Sequence, residues 1–134
     1  GVEWEYACRA GTRTRFWSGD DEKALAGVGW YEDNSQKRIH RVGEKPANPW
    51  GLYDVHGNVW EWTLSPTGDP QVHAGTPAHD PTNVGLGEAT DSYWIRGGSF
   101  SAIPKVCRSG FGHHWLALSE DKDQGFRVVL PPSP

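Results

Sequence analysis

Apolar positions along this chain come in short bursts rather than long periodic runs. Val2 to Ala10 puts Trp4 and Cys8 at an i, i+4 spacing with Glu3 and Arg9 on other faces, and Gly11 follows as a stop. That spacing predicts a short amphipathic helix. From Thr12 to Pro49 the pattern dissolves into fragments such as Phe16-Trp17 and Val28-Gly29-Trp30-Tyr31 between polar runs. Asn48-Pro49-Trp50-Gly51 reads as a turn, and Asn58-Val59-Trp60-Glu61-Trp62-Thr63 alternates like a half-buried strand. Ser65 to Asp91 has no period, is rich in Gly, Pro and Thr, and reads as a long surface loop. Tyr93-Trp94-Ile95-Arg96 is strand-like and ends at Gly97-Gly98. Phe126 to Leu130 reads as a further strand stopped by Pro131-Pro132. The expected class is α+β with little regular structure.

Composition narrows the picture. A length of 134 residues fits one domain. Hydrophobic residues make up only 36%, but 8 Trp compensate, because each buried indole removes a large apolar area from water. Gly 17 and Pro 10 argue against a helical bundle and for a loop-rich chain. A net charge of -4 supplies no basic field for a nucleic-acid backbone, so nucleic acid is not an expected partner. No apolar stretch approaches the roughly 18 residues of a membrane span. The chain opens on Gly1 and contains no Met, which suggests a cut end. Two cysteines, Cys8 and Cys107, leave three options: a disulfide, two buried thiols, or one reactive thiol. His40, His56, His73 and His79 lie scattered in predicted loops and read as surface histidines. No Gly-rich phosphate loop supports nucleotide chemistry.

Four blocks then stand out in order. They are Glu3-Trp4-Glu5-Tyr6-Ala7-Cys8-Arg9-Ala10-Gly11-Thr12, the run from Asn48 to Thr63 containing Gly57-Asn58-Val59-Trp60-Glu61-Trp62, Arg96-Gly97-Gly98-Ser99-Phe100, and Gly125-Phe126-Arg127-Val128-Val129. Together they strongly resemble the sulfatase-modifying-factor family, the formylglycine-generating-enzyme-like domains, whose fold is C-type-lectin-like. The resemblance covers residues 1–134 as one domain that lacks the family's usual segment before the first block.

Asp54 and Glu61 bracket a tight turn at Gly57, so their carboxylates and the intervening carbonyls form a candidate site for a hard cation. The resemblance implies the same residues. Family members bind Ca²⁺ through positions matching the side chains of Asp54 and Glu61 and the carbonyls of Gly57 and Val59. A hydrogen-bonded turn without an ion is the alternative.

For catalysis, the resemblance points to two cysteines after the Gly-Gly-Ser motif that hold copper and oxidise a substrate cysteine. Ala102 stands where the first would be, and Cys107 stands at the second. One thiolate rarely holds Cu(I). Ser99 and Trp60 match pocket positions of the enzyme but also serve as scaffold in non-enzymes. The expectation is therefore a non-catalytic domain, with Cys107, Ser99 and Trp60 as the residues of the oxidase alternative. The resemblance also implies a Cys8–Cys107 disulfide. Such a bridge would add roughly 3–5 kcal/mol by loop closure and would indicate an oxidising, extracytoplasmic or cell-surface location.

Between the third and fourth blocks, Phe111-Gly112-His113-His114-Trp115-Leu116-Ala117-Leu118 departs from the polar residues usual in the family. Aromatic and histidine side chains combine flat apolar faces with a polar edge, suited to recognition. A family scaffold with an atypical stretch here resembles the variable proteins of diversity-generating retroelements. The expected ligand-binding residues are Ser101, Ile103, Lys105, Phe111, His113, His114, Trp115 and Leu116. At least two of Phe111, His113, His114 and Trp115 are expected to be exposed and adjacent, facing a protein, small-molecule or glycan ligand. The competing classes are a copper-dependent oxidase acting on sulfatase cysteines and a sensory module of a larger bacterial protein.

Overall fold

The computed structural model describes residues 1–66 and 92–128. Helix α1 spans Val2–Arg9, one residue short of the predicted end, because Ala10 turns into the left-handed region at φ 46. Its exposed side carries an i, i+4 ion pair, Arg9 to Glu5 at 2.8 Å, while Cys8 is buried. A second helix, α2 (Glu22–Val28), lies where the sequence pattern had dissolved. Asp21 starts it by accepting the Ala24 N–H at 2.7 Å, a cap worth about 1 kcal/mol. Leu25 and Val28 are its buried side.

Four strands follow: β1 (Trp60–Pro66), β2 (Ser92–Arg96), β3 (Gly112–Leu116) and β4 (Gln124–Phe126), with a short 3-10 turn at Pro104–Val106. They form one sheet in the order β3-β2-β1-β4. β1 pairs antiparallel with β2, β2 antiparallel with β3, and β1 parallel with β4. Two expectations are corrected here. β1 runs on through Ser65 and Pro66, which the sequence reading assigned to a loop; Thr67 to Asp91 lie outside the described residues. The last strand is Gln124–Phe126 rather than Phe126 to Leu130, because its backbone pairs with Trp60 to Trp62. Val128 is already off the sheet and exposed, and the two residues after it lie outside the described set.

The core is small. Phe16, Leu25, Tyr31 and Cys107 pack together, with Ala26 and Ala102 against them. Irregular backbone is held by side chains that imitate it. The Asn48 carboxamide accepts from the N–H groups of Trp50 and Leu52, and donates to the carbonyls of Ala7 and Cys8, tying the predicted turn to α1. The Asn58 amide pairs in the same way with the N–H and carbonyl of His40. Trp30 stacks on His40 with ring centroids 3.7 Å apart, and Lys45 sits 4.1 Å from the Trp30 ring centroid. Among the described residues no helix is long and apolar enough to cross a membrane.

Candidate functional site

The turn from Asp54 to Glu61 is the structural hub. Asp54, Gly57 and Asn58 all have positive φ, and a Cβ on Gly57 would overlap the Trp30 carbonyl. Only glycine allows the two chain segments to meet backbone to backbone at the Trp30–Gly57 bridge. His56 is fully buried beside it. Its Nε2 accepts the Trp17 N–H at 3.1 Å and its Nδ1 donates to the Cys107 carbonyl at 2.9 Å, which requires the neutral Nδ1–H tautomer. Burial lowers its pKa to about 4. His40 is buried too, with Nε2 2.7 Å from the Ser35 carbonyl. Both therefore overturn the surface reading: each ring closes backbone hydrogen bonds that irregular loops leave open. His73 and His79 lie outside the described residues.

Cys8 and Cys107 are free, buried thiols rather than the implied disulfide. The Cys8 sulfur sits 3.8 Å from the Val55 carbonyl and 3.9 Å from the His56 ring nitrogens. Cys107 belongs instead to the Phe16–Leu25–Tyr31 cluster. Its sulfur lies so close under Gly98 that a Cβ there would come within 2.5 Å. Burial pushes both thiols up to about 12, so neither is a thiolate at neutral pH. The argument for an oxidising location falls with the bridge. No group of three or more His, Cys, Asp or Glu able to hold a metal exists among the described residues.

The carboxylates proposed for calcium are engaged within the chain, all but one oxygen of Asp54. Glu61 is buried; its Oε2 accepts from Trp4 Nε1 at 2.7 Å and from Arg127 Nε at 3.0 Å, and its Oε1 accepts from Arg127 Nη2 at 2.7 Å. Arg127 Nη2 also donates to the Tyr53 carbonyl at 2.8 Å. Burial opposes the Arg127 charge, yet the bonds and charge of Glu61 outweigh it and its pKa rises. Asp54 Oδ2 accepts the Gly43 N–H at 2.8 Å, and Oδ1 is buried without a partner. The Gly57 N–H is bonded to the Gly97 carbonyl. As arranged here, Glu61 is fitted to a guanidinium, and a divalent ion on it would share the carboxylate with the Arg127 charge.

The exposed residues lie elsewhere. On β3, His113 and His114 are exposed, Leu116 is half exposed and Trp115 is partly buried, as is Phe111 just before the strand. Their rings form a contiguous set: His113 lies 5.3 Å from His114 and 5.6 Å from Trp115, while Trp60 lies 6.3 Å from Phe111 and 6.4 Å from His113. With its amide oriented to satisfy both ends, Gln124 accepts from Trp115 Nε1 at 3.0 Å and donates to the Ser119 carbonyl, which anchors that indole. Ser101 is exposed and donates to Asp123 Oδ2 at 3.1 Å; Ser99 beside it is buried. Ile103 and Lys105 are exposed as well. Lys105 lines a different cleft of about 730 Å³ with Arg15, Phe16, Asp20 to Lys23, Pro104 and Arg108. The eight expected ligand-binding residues thus do not share one patch. The sequence reading missed Arg127 as the partner of Glu61, although strand alternation puts it on the face opposite Phe126.

Residues 1–131 match the Sulfatase-modifying factor enzyme 1-like domain. The chain belongs to this family. It is 31% identical over 151 residues to the formylglycine-generating enzyme of Mycobacterium tuberculosis, covering 98% of this chain and 50% of that protein. It is also similar in structure to Treponema denticola variable protein 1, with a TM-score of 0.76 and 29% identity, over 93% of this chain and 44% of the other. PvdO from Pseudomonas aeruginosa gives a TM-score of 0.74 at 28% identity, over 93% of this chain and 48% of that one. The chain spans about half the length of these relatives. The fold is α+β and C-type-lectin-like, as the resemblance implied.

Proposed function

We propose that this chain is a non-catalytic ligand-binding domain of the diversity-generating-retroelement variable-protein type, with its recognition surface between Gly98 and Gly125. The observation that carries this reading is the contrast within that segment. Cys107 and Ser109 are buried, while His113, His114 and Leu116 project from an edge strand whose path is fixed by pairing with β2. The similarity to a variable protein supports it. The ligand would be met by histidine and aromatic faces, as a protein or glycan surface can be.

The oxidase alternative has the similarity to a formylglycine-generating enzyme on its side. Against it, Ala102 packs onto the core where a second thiol would be needed, and Cys107 is a protonated, fully enclosed thiol. Two accessible thiolates are what Cu(I) requires.

Two measurements decide between them. Copies of this gene from many sources should concentrate substitutions at Ser101, Ile103, Phe111, His113, His114, Trp115 and Leu116 and spare the Gly-Gly-Ser and Gly-Phe-Arg anchors. An even spread would remove the variable-protein reading. Incubation with copper and a Cys-x-Pro-x-Arg peptide should give no formylglycine by mass spectrometry. Turnover would establish the oxidase instead.

A further inference from the structure

We infer that Arg127 is the resident cation of the Asp54–Glu61 turn, and that this chain locks its turn with a guanidinium instead of a divalent ion. The turn brings two acidic side chains into a buried setting, and buried charge needs a counter-charge. Arg127 supplies it with a bidentate grip on Glu61, the Nε and Nη2 hydrogens reaching one carboxylate oxygen each at 3.0 and 2.7 Å. A third bond runs from Nη2 to the Tyr53 carbonyl, next to Asp54. The Trp4 indole N–H takes the remaining capacity of Glu61 Oε2. Three N–H donors thus fill three of the roughly four acceptor positions of Glu61, while Asp54 is held by the Gly43 N–H on its Oδ2.

The lock also has an architectural effect. Trp4 comes from α1, Glu61 from β1, and Arg127 follows β4, so one carboxylate joins the start, middle and end of the described chain. A calcium ion there would bind the turn to itself. A guanidinium binds it to the strand that closes the sheet.

The test uses the full chain. Thermal unfolding should be the same in calcium and in EDTA, and terbium should show no emission sensitised by tryptophan, although Trp4 would stand close to any ion on Glu61. Arg127→Gln and Glu61→Gln should each lower the melting temperature by about 10 °C, as expected when one partner of a buried pair is removed. The double variant should be no less stable than either single one, since the two groups act as a pair. A chelator-induced fall in the melting temperature of the parent, or terbium emission from it, overturns the inference. So do single-variant effects that simply add. If Arg127→Gln does not fold, the chelator and terbium measurements on the parent decide alone.

Discussion

His56 and His113 carry the same imidazole, and their surroundings are opposite. His56 is enclosed by the Trp17 N–H, the Cys107 carbonyl and the Cys8 sulfur. His113 stands exposed on an edge strand among Trp60, His114 and Trp115, and no hydrogen bond holds its ring among the described residues. A group whose donor and acceptor are both satisfied internally has nothing left to offer a ligand, and its removal leaves orphans behind. An exposed ring has its bonding capacity in reserve and contributes little to the fold. The same residue type therefore serves structure in one region and recognition in the other, and the hydrogen-bond inventory tells the two apart.

The largest effect should come from breaking the buried side of that comparison. His56→Ala strips the partner from the Trp17 N–H and the Cys107 carbonyl and leaves a cavity, a loss of about 3–5 kcal/mol. The urea midpoint measures it, and a variant as stable as the parent would refute the hub. Acid should act on the same residue. His56 has a pKa of about 4 when folded against 6.5 when free, so between these values the unfolded chain binds the extra proton. Its contribution is complete above about pH 6.5, declines as the pH falls, and is spent below about pH 4; the total is about 3 kcal/mol. Urea midpoints from pH 7 to pH 4 should show this slope, and His56→Gln should flatten it.

Effects on the other side should be small. His113→Ala and His114→Ala should each change stability by less than about 0.5 kcal/mol. A cost of several kcal/mol at either position would make β3 a core element. The smallest effect is expected from reductant. With both cysteines free, dithiothreitol should leave the melting temperature unchanged, and a thiol reagent should label neither cysteine until the chain unfolds. A mass two hydrogens short of the fully reduced chain, or a shift with reductant, would restore the bridge.

Legibility in the sequence followed the physics of each feature. α1, the Asn48 turn, β2 and the start of β1 were readable because their patterns are local: an i, i+4 pair, an Asn-Pro dipeptide, an alternation. The exposure of His113 and His114 was also within reach, since an apolar run between two glycine anchors must place some side chains outward. α2 was missed because only Leu25 and Val28 form its buried stripe, although Asp21 and Gly29 mark its two ends. The burial of His40 and His56 left no local trace. The partners of His56, Trp17 and Cys107, are set by tertiary contact, as is the Trp30 ring over His40, and a histidine in a loop gives no sign of which groups surround it. The Glu61–Arg127 pair is 66 residues apart, about half of the chain, and was hidden for the same reason.

The sheet order carries one more consequence. The Phe100 N–H bonds to the Asn58 carbonyl at 2.8 Å, and the Trp60 N–H bonds to the Asp123 carbonyl at 2.7 Å. Both ends of the excursion that contains β3 are thus clipped to the same few residues of the hub. For protein engineering this makes the outward part of that excursion, residues 113–122, a cassette with its ends already joined, while Ala102, Cys107 and Ser109 stay with the core. The closure entropy of an insert grows only with the logarithm of its length, so a foreign loop put there would be charged about 0.6 kcal/mol for each doubling. A library built between those two clips would vary the presented surface while each member inherits the same frame.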